Sequence, residues 1–153
     1  MNIQITEDAF HSPDEEIIIL CRQKNERIDR LKQFIEGFDM GIKAFDNDTF
    51  RTLKPADILY FEVVDNKTFA YLYDSVWQVS FTLEKLETDL ASYGFFRISK
   101  SCMLNLKQVN HFTSSMGSRI TATMENKEEI IVSRHYAKIL REKMKAERGN
   151  DYE

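Results

Sequence analysis

Residues 95–106, Phe-Phe-Arg-Ile-Ser-Lys-Ser-Cys-Met-Leu-Asn-Leu, constrain the fold more than any other stretch. Even positions from 96 to 106 are apolar except at Lys100, while Arg97, Ser99, Ser101 and Asn105 take odd positions, the alternation of a half-buried strand. A lysine cannot remain at a core-parity position, because burying an unpaired ammonium is costly. The segment must therefore bend or open near residues 99–101 and turn Lys100 towards solvent or an anion. A Ser-Lys-Ser tip on a core-building segment is a candidate contact loop.

Around this stretch the signals are mostly β. The turn composition Asp46-Asn47-Asp48 separates two short apolar runs, 42–45 and 50–53, and Pro55 divides this hairpin from a strand within 56–64. Asp65-Asn66-Lys67 is the next turn. Phe69, Tyr71 and Tyr73, then Trp77, Val79 and Phe81, alternate with other residues on either side of an Asp74-Ser75 turn, which predicts a three-strand meander with these aromatics in its core. Thr82 is placed to cap a helix carrying Leu83, Leu86 and Leu90 on one face, and Gly94 to end it. Strands are expected at 109–113, 119–124 and 128–132, and Ser133 caps a last helix with Tyr136, Ile139, Leu140 and Met144 inward.

The N-terminal part has another character. Glu15-Glu16-Ile17-Ile18-Ile19-Leu20-Cys21 suits a buried strand, and Ile28, Leu31, Phe34, Ile35 and Phe38 recur at helical spacing. One strand and one helix cannot close a core, so this helix must dock on the rest of the chain or on a second copy. The expected organisation is a strand-helix unit over 1–45, for dimerisation or regulation, a β-rich domain over 46–148 and a tail at 149–153.

Charge divides the chain in the same way. Residues 1–48 hold 6 Lys and Arg against 11 Asp and Glu, whereas residues 92–149 hold 11 against 5. The split suggests a polyanion-binding part joined to an acidic, protein-facing part. The three histidines, His11, His111 and His135, stand in no metal-ligand spacing. Five glycines build neither a dinucleotide-binding nor a phosphate-binding loop, and Ser133 next to Arg134-His135 is a helix cap, not a nucleophile. No enzyme, metal, cofactor or small-molecule substrate is expected. Two cysteines too few for a disulfide framework, and no apolar run of about 18 residues, point to a cytoplasmic protein.

Four pieces in this order carry a resemblance: Asp57-Ile58-Leu59-Tyr60-Phe61-Glu62, Leu83-Glu84-Lys85-Leu86-Glu87, the stretch at 95–106, and Ile131-Val132-Ser133-Arg134-His135-Tyr136. From about residue 50 to 146 the chain resembles the LytTR DNA-binding domain of bacterial transcriptional regulators, in the compact stand-alone form that lacks a receiver domain. The resemblance implies a mostly β fold, α+β overall, of small packed antiparallel sheets with short helices. It also implies a non-enzymatic, sequence-specific regulator that sets loops into successive major grooves, as two copies on a direct-repeat promoter site. Ser99, Lys100 and Ser101 match the loop that enters one groove, and Arg134 matches an arginine that reads a base in the next. Asn66 and Lys67 match a hairpin approaching from the other side. Arg97, Ser99 and Ser101 are suited to phosphates, and His135 completes the candidate DNA-binding set. Ser99 and Lys100 stand where many relatives have histidine and asparagine or arginine. A homodimer, at least on DNA, and a small membrane protein as restraining partner are further implications. The alternative is a protein-interaction module that has lost DNA affinity and works through its acidic N-terminal unit.

Overall fold

In the computed structural model, residues 2–10, 16–36, 40–114 and 116–151 are described. Among these residues the architecture is two antiparallel sheets with three helices. Helix α1 spans Glu26–Glu36; β1 (Ile42–Asp46) and β2 (Thr49–Leu53) form a hairpin; β3 (Tyr60–Val64), β4 (Lys67–Tyr71) and β5 (Val76–Val79) form the meander. Helix α2 (Leu83–Asp89) follows, then β6 (Phe95–Arg97), β7 (Cys102–Asn105), β8 (Val109–Ser114), β9 (Ile120–Met124), β10 (Glu129–Val132) and helix α3 (Arg134–Asp151). The larger sheet has the order β2-β1-β5-β4-β3-β7-β6, and β10-β9-β8 form the smaller one.

Two cores hold these layers together. Phe61, Ala70, Leu72, Val79 and Met103 meet Leu83, Leu86 and Leu90 of α2 in the first. Tyr60, Ile98, Cys102 and Leu104 meet Ile120, Ala122, Met124 and Val132 of the smaller sheet, and Ala137 and Leu140 of α3, in the second. Strands β3 and β7 lie between the two cores and feed both by simple alternation, Phe61 and Met103 one way, Tyr60, Cys102 and Leu104 the other. All four residues of β7 are consequently buried.

This arrangement corrects the half-buried reading of 95–106. The segment is not one strand with a bend but a hairpin, β6 paired with β7, and its odd positions are covered by a second layer. Asn105, expected on the wet side, is 1% exposed. Its amide donates to the carbonyls of Ile58 (3.0 Å) and Pro55 (3.4 Å), and its Oδ1 accepts from the Lys107 N–H, so burial leaves no polar group stranded.

Local signals otherwise set the elements. Thr82 caps α2 by accepting from the Lys85 N–H, and Gly94, at φ 87°, ends the short 3-10 turn Ala91–Tyr93 in a left-handed conformation that a Cβ would strain. In β4 the buried parity is Thr68 and Ala70. Tyr71 packs against the second core, and Trp77 and Phe81 against the first, as expected of the meander aromatics; Tyr73 is the exception and is exposed. On α3, Ala137 takes the inward place expected for Ile139, which is 39% exposed.

The N-terminal expectation changes most. Residues 16–21 form no strand, and Ile17, Ile18 and Leu20 are exposed; Glu15 lies outside the described residues, as does Phe38. A β-branched run becomes a strand only where an edge pairs with it, and here none does. Helix α1 does form, docking on the Ala91–Tyr93 turn, with the Lys107 ammonium 5.9 Å from the centre of the Phe34 ring. The main sheet takes in β1, so the β unit begins at Ile42. Among the described residues no helix is long and apolar enough to cross a membrane.

Candidate nucleic-acid interface

Strand register brings the predicted residues to one end of the molecule. Glu62 pairs with Cys102, and the Val63 N–H donates to the Ser101 carbonyl at 2.8 Å, so the tip at 99–101 and the β3–β4 turn leave the sheet side by side. The third piece joins through the Ser133 N–H, which donates to the Ile98 carbonyl at 2.9 Å. Arg134, the first residue of α3, therefore starts next to the tip. Register and these two bonds assemble residues that lie far apart in sequence.

The tip itself is held by its own backbone and side chains. The N–H groups of Ile98 and Ser99 both donate to the Cys102 carbonyl (3.0 and 3.3 Å), and Ser99 Oγ accepts from the Ser101 N–H at 3.2 Å. Ile98, fully buried, anchors one flank and Cys102, 7% exposed, the other. The Lys100 side chain stands exposed at the summit. Such a loop presents one cation on a scaffold with little freedom to move, which reduces the ordering cost of a contact.

Arg97 behaves differently from its neighbours. Its side chain is only 10% exposed. Nε donates to the Ser99 carbonyl at 2.9 Å, Nη2 to the Lys100 carbonyl, and Nη1 to Glu87 on α2 at 3.1 Å, with Glu84 3.7 Å from Nη2. The guanidinium is turned inward along the tip.

Asp65 and Asn66 adopt φ of 51° and 62°, the paired left-handed conformation of a tight hairpin turn, and leave Lys67 exposed at the start of β4. Arg134 and His135 are exposed, and the His135 ring meets Tyr136 edge-on at 5.0 Å. The first turn of α3 carries no acidic residue.

Beneath the tip a cleft of about 540 Å³ runs between the two sheets, lined by Tyr60, Glu62, Cys102 and Glu128 among others. Tyr60 and Tyr71 stack there with ring centres 4.3 Å apart. Burial, reinforced by nearby Glu128, raises the Tyr60 phenol well above its ordinary range, and burial followed by Glu62 raises Tyr71. Burial, with the Glu62 charge adding, pushes the Cys102 thiol up to about 12. These groups stay protonated at neutral pH and act as packing. Among the described residues no cluster of His, Cys, Asp and Glu could hold a metal ion. What the sequence alone missed here is the Tyr60–Tyr71 stack beside Glu62 and Glu128, because it joins separate segments with no local signature.

The family model for the LytTr DNA-binding domain matches residues 48–145, well over half of the chain. The chain belongs to the LytTR family. Among solved structures, the LytTr DNA-binding domain of a methyl-accepting/DNA response regulator from Bacillus cereus is similar in fold, with a TM-score of 0.63 at 22% identity over 67% of this chain and 94% of that one. No curated protein matches the chain. The LytTR domain is a DNA-binding rather than a catalytic module, and the packed antiparallel sheets with short helices are its α+β fold.

Proposed function

We propose that this LytTR protein is a sequence-specific transcriptional regulator that sets its tip and its strand-to-helix junction into DNA major grooves, as a pair on a direct-repeat promoter site. The observation that carries the reading is the anchored tip, with Lys100 exposed at its summit and tied by the Ile98–Ser133 bond to Arg134. A guanidinium is suited to bidentate contact with guanine, and an ammonium can donate to guanine acceptors or to phosphate. Ser99, Ser101 and His135 would contact the backbone beside them, and Asn66 and Lys67 would reach it from the neighbouring turn.

Electrostatics favours the same face. Arg134 in the first turn of α3 opposes the helix dipole, an unfavourable arrangement that an approaching anion reverses. The positive balance of residues 92–149 supplies the long-range attraction. In this reading the regulator works in the cytoplasm without catalysing a reaction, and pairs at least when bound to DNA. Its N-terminal unit is the natural contact for a second copy or for a small membrane protein that restrains it.

Selection of bound duplexes from a random pool by the full chain tests the proposal. The expected result is enrichment of one motif in two direct copies, with affinity falling steeply as salt rises, roughly a thousandfold between about 50 and 200 mM for six phosphate contacts. Affinity indifferent to sequence would overturn it. One observation favours a second reading, a protein-interaction module: Ile17, Ile18 and Leu20 are 66%, 68% and 91% exposed on the acidic N-terminal part. Absence of DNA binding at low salt, together with stable capture of a protein partner through residues 16–36, would support that reading instead.

A further inference from the structure

We propose that Arg97 is a positioning residue that fixes the base preference of the tip from behind, held by Glu84 and Glu87 of α2, and does not touch DNA. The proposal rests on the tip being the DNA-contacting loop. Its own basis is geometric. All three guanidinium nitrogens are engaged: Nε with the Ser99 carbonyl, Nη2 with the Lys100 carbonyl and Nη1 with Glu87. The side chain is 10% exposed, whereas Glu84 and Glu87 are 76% and 50% exposed. A phosphate approaching Arg97 would thus meet two carboxylates around one guanidinium, a locally negative group.

The arrangement has a clear mechanical consequence. The planar fork reads two successive carbonyls of the tip and fixes the peptide planes on either side of Lys100. A lysine at position 97 offers a point charge without that fork, so the tip would keep its charge but lose its orientation. Misplacing a contacting group by about an ångström is enough to spoil directional hydrogen bonding to a base edge. Phosphate attraction depends on charge and distance, and tolerates the same displacement. Arg97 should therefore govern discrimination between sequences, whereas non-specific affinity follows net charge alone: unchanged in Arg97→Lys and raised for every duplex when the two carboxylates are removed.

The test uses the full chain and two duplexes, one enriched by the wild-type protein from a random pool and one of scrambled sequence, titrated at several salt concentrations. Two variants are compared with wild type, the Glu84→Gln, Glu87→Gln double variant and Arg97→Lys. Because both glutamates are exposed, the double variant leaves the cores untouched, and thermal melting verifies its fold. The clamp predicts that each variant lowers the ratio of specific to scrambled affinity by about fivefold, the equivalent of one net hydrogen bond. Arg97→Lys should leave the salt dependence on the scrambled duplex at its wild-type slope. If Arg97 instead binds phosphate, removing two neighbouring carboxylates strengthens binding to both duplexes alike and Arg97→Lys preserves the ratio; that outcome overturns the clamp while leaving the DNA reading intact. A wild-type protein that enriches no sequence overturns the DNA reading, and the clamp's function with it.

Discussion

The tip between β6 and β7 and the turn between β3 and β4 leave the same end of the sheet, but they are built by opposite means. The turn is local. Asp65 and Asn66 take up the two left-handed positions themselves, and the hairpin closes through the pairing of Val64 with Lys67. The tip depends on partners far away: Val63 holds Ser101, Ser133 holds Ile98, and Arg97 with α2 behind it holds the carbonyls of Ser99 and Lys100. A loop fixed by tertiary contacts can orient a side chain against a base, whereas a short hairpin turn suffices to place a charge near a phosphate. Under the proposed DNA reading, the difference would suit a division of labour between discrimination and attraction.

Breaking the tip's anchor should have the largest effect. Ile98 is fully buried in the second core, so Ile98→Ala should cost about 2–5 kcal/mol of stability. A urea midpoint close to wild type would show that the tip is not supported from below. Alkaline pH probes the same place. The folded chain keeps the Cys102 thiol protonated to about 12, from an ordinary value of 9.0, so between these limits the unfolded chain has released a proton that the folded one retains. Stability is then complete below pH 9 and falls as pH rises towards 12, with Tyr60 and Tyr71 acting in the same direction. Denaturant melts at neutral and alkaline pH check the sign, and a thiol reagent at neutral pH should modify exposed Cys21 while sparing Cys102.

Changes at the turn should be smaller. Asn66→Ala places a Cβ-bearing residue without a compensating polar side chain at φ 62°, costing about 1–2 kcal/mol, and Asn66→Gly should restore the loss in the same melt. Lys67→Ala should leave stability within about 0.5 kcal/mol. Its effect should appear in DNA titrations as a uniform weakening over all sequences, with the salt slope reduced by about 0.9 for one lost phosphate contact. A change in base preference from Lys67→Ala would contradict the division between the two loops.

The same contrast explains what could be learned from residue order. Turn chemistry, the Thr82 cap, the Gly94 stop and the alternation of most strands are written within a few residues, and each is found in the fold. The pairing of β1 with β5 and of β3 with β7 crosses long stretches of sequence and carries no local mark. That is why 95–106 looked half-buried: a strand lying between two cores hides both parities, and Asn105 is polar because it satisfies buried carbonyls, not because it is wet. The run at 16–21 has strand propensity without a partner edge. The Arg97 ion pairs had no local mark either, because nothing near Arg97 in sequence announces that α2 brings two carboxylates behind the tip. The exposure of Lys100 and of Arg134 was legible for the opposite reason, one as a break in the alternation and one as a cation at a helix start.

The central claim is that Lys100 and Arg134 together read DNA from the anchored end of the sheet. The most direct measurement is a titration of the Lys100→Ala, Arg134→Ala double variant against its enriched and scrambled duplexes at one fixed salt concentration. With about 1–3 kcal/mol of discrimination from each base contact, preference for the enriched duplex should collapse, leaving both duplexes bound with similar weak affinity. Wild-type preference retained by the double variant would contradict the account.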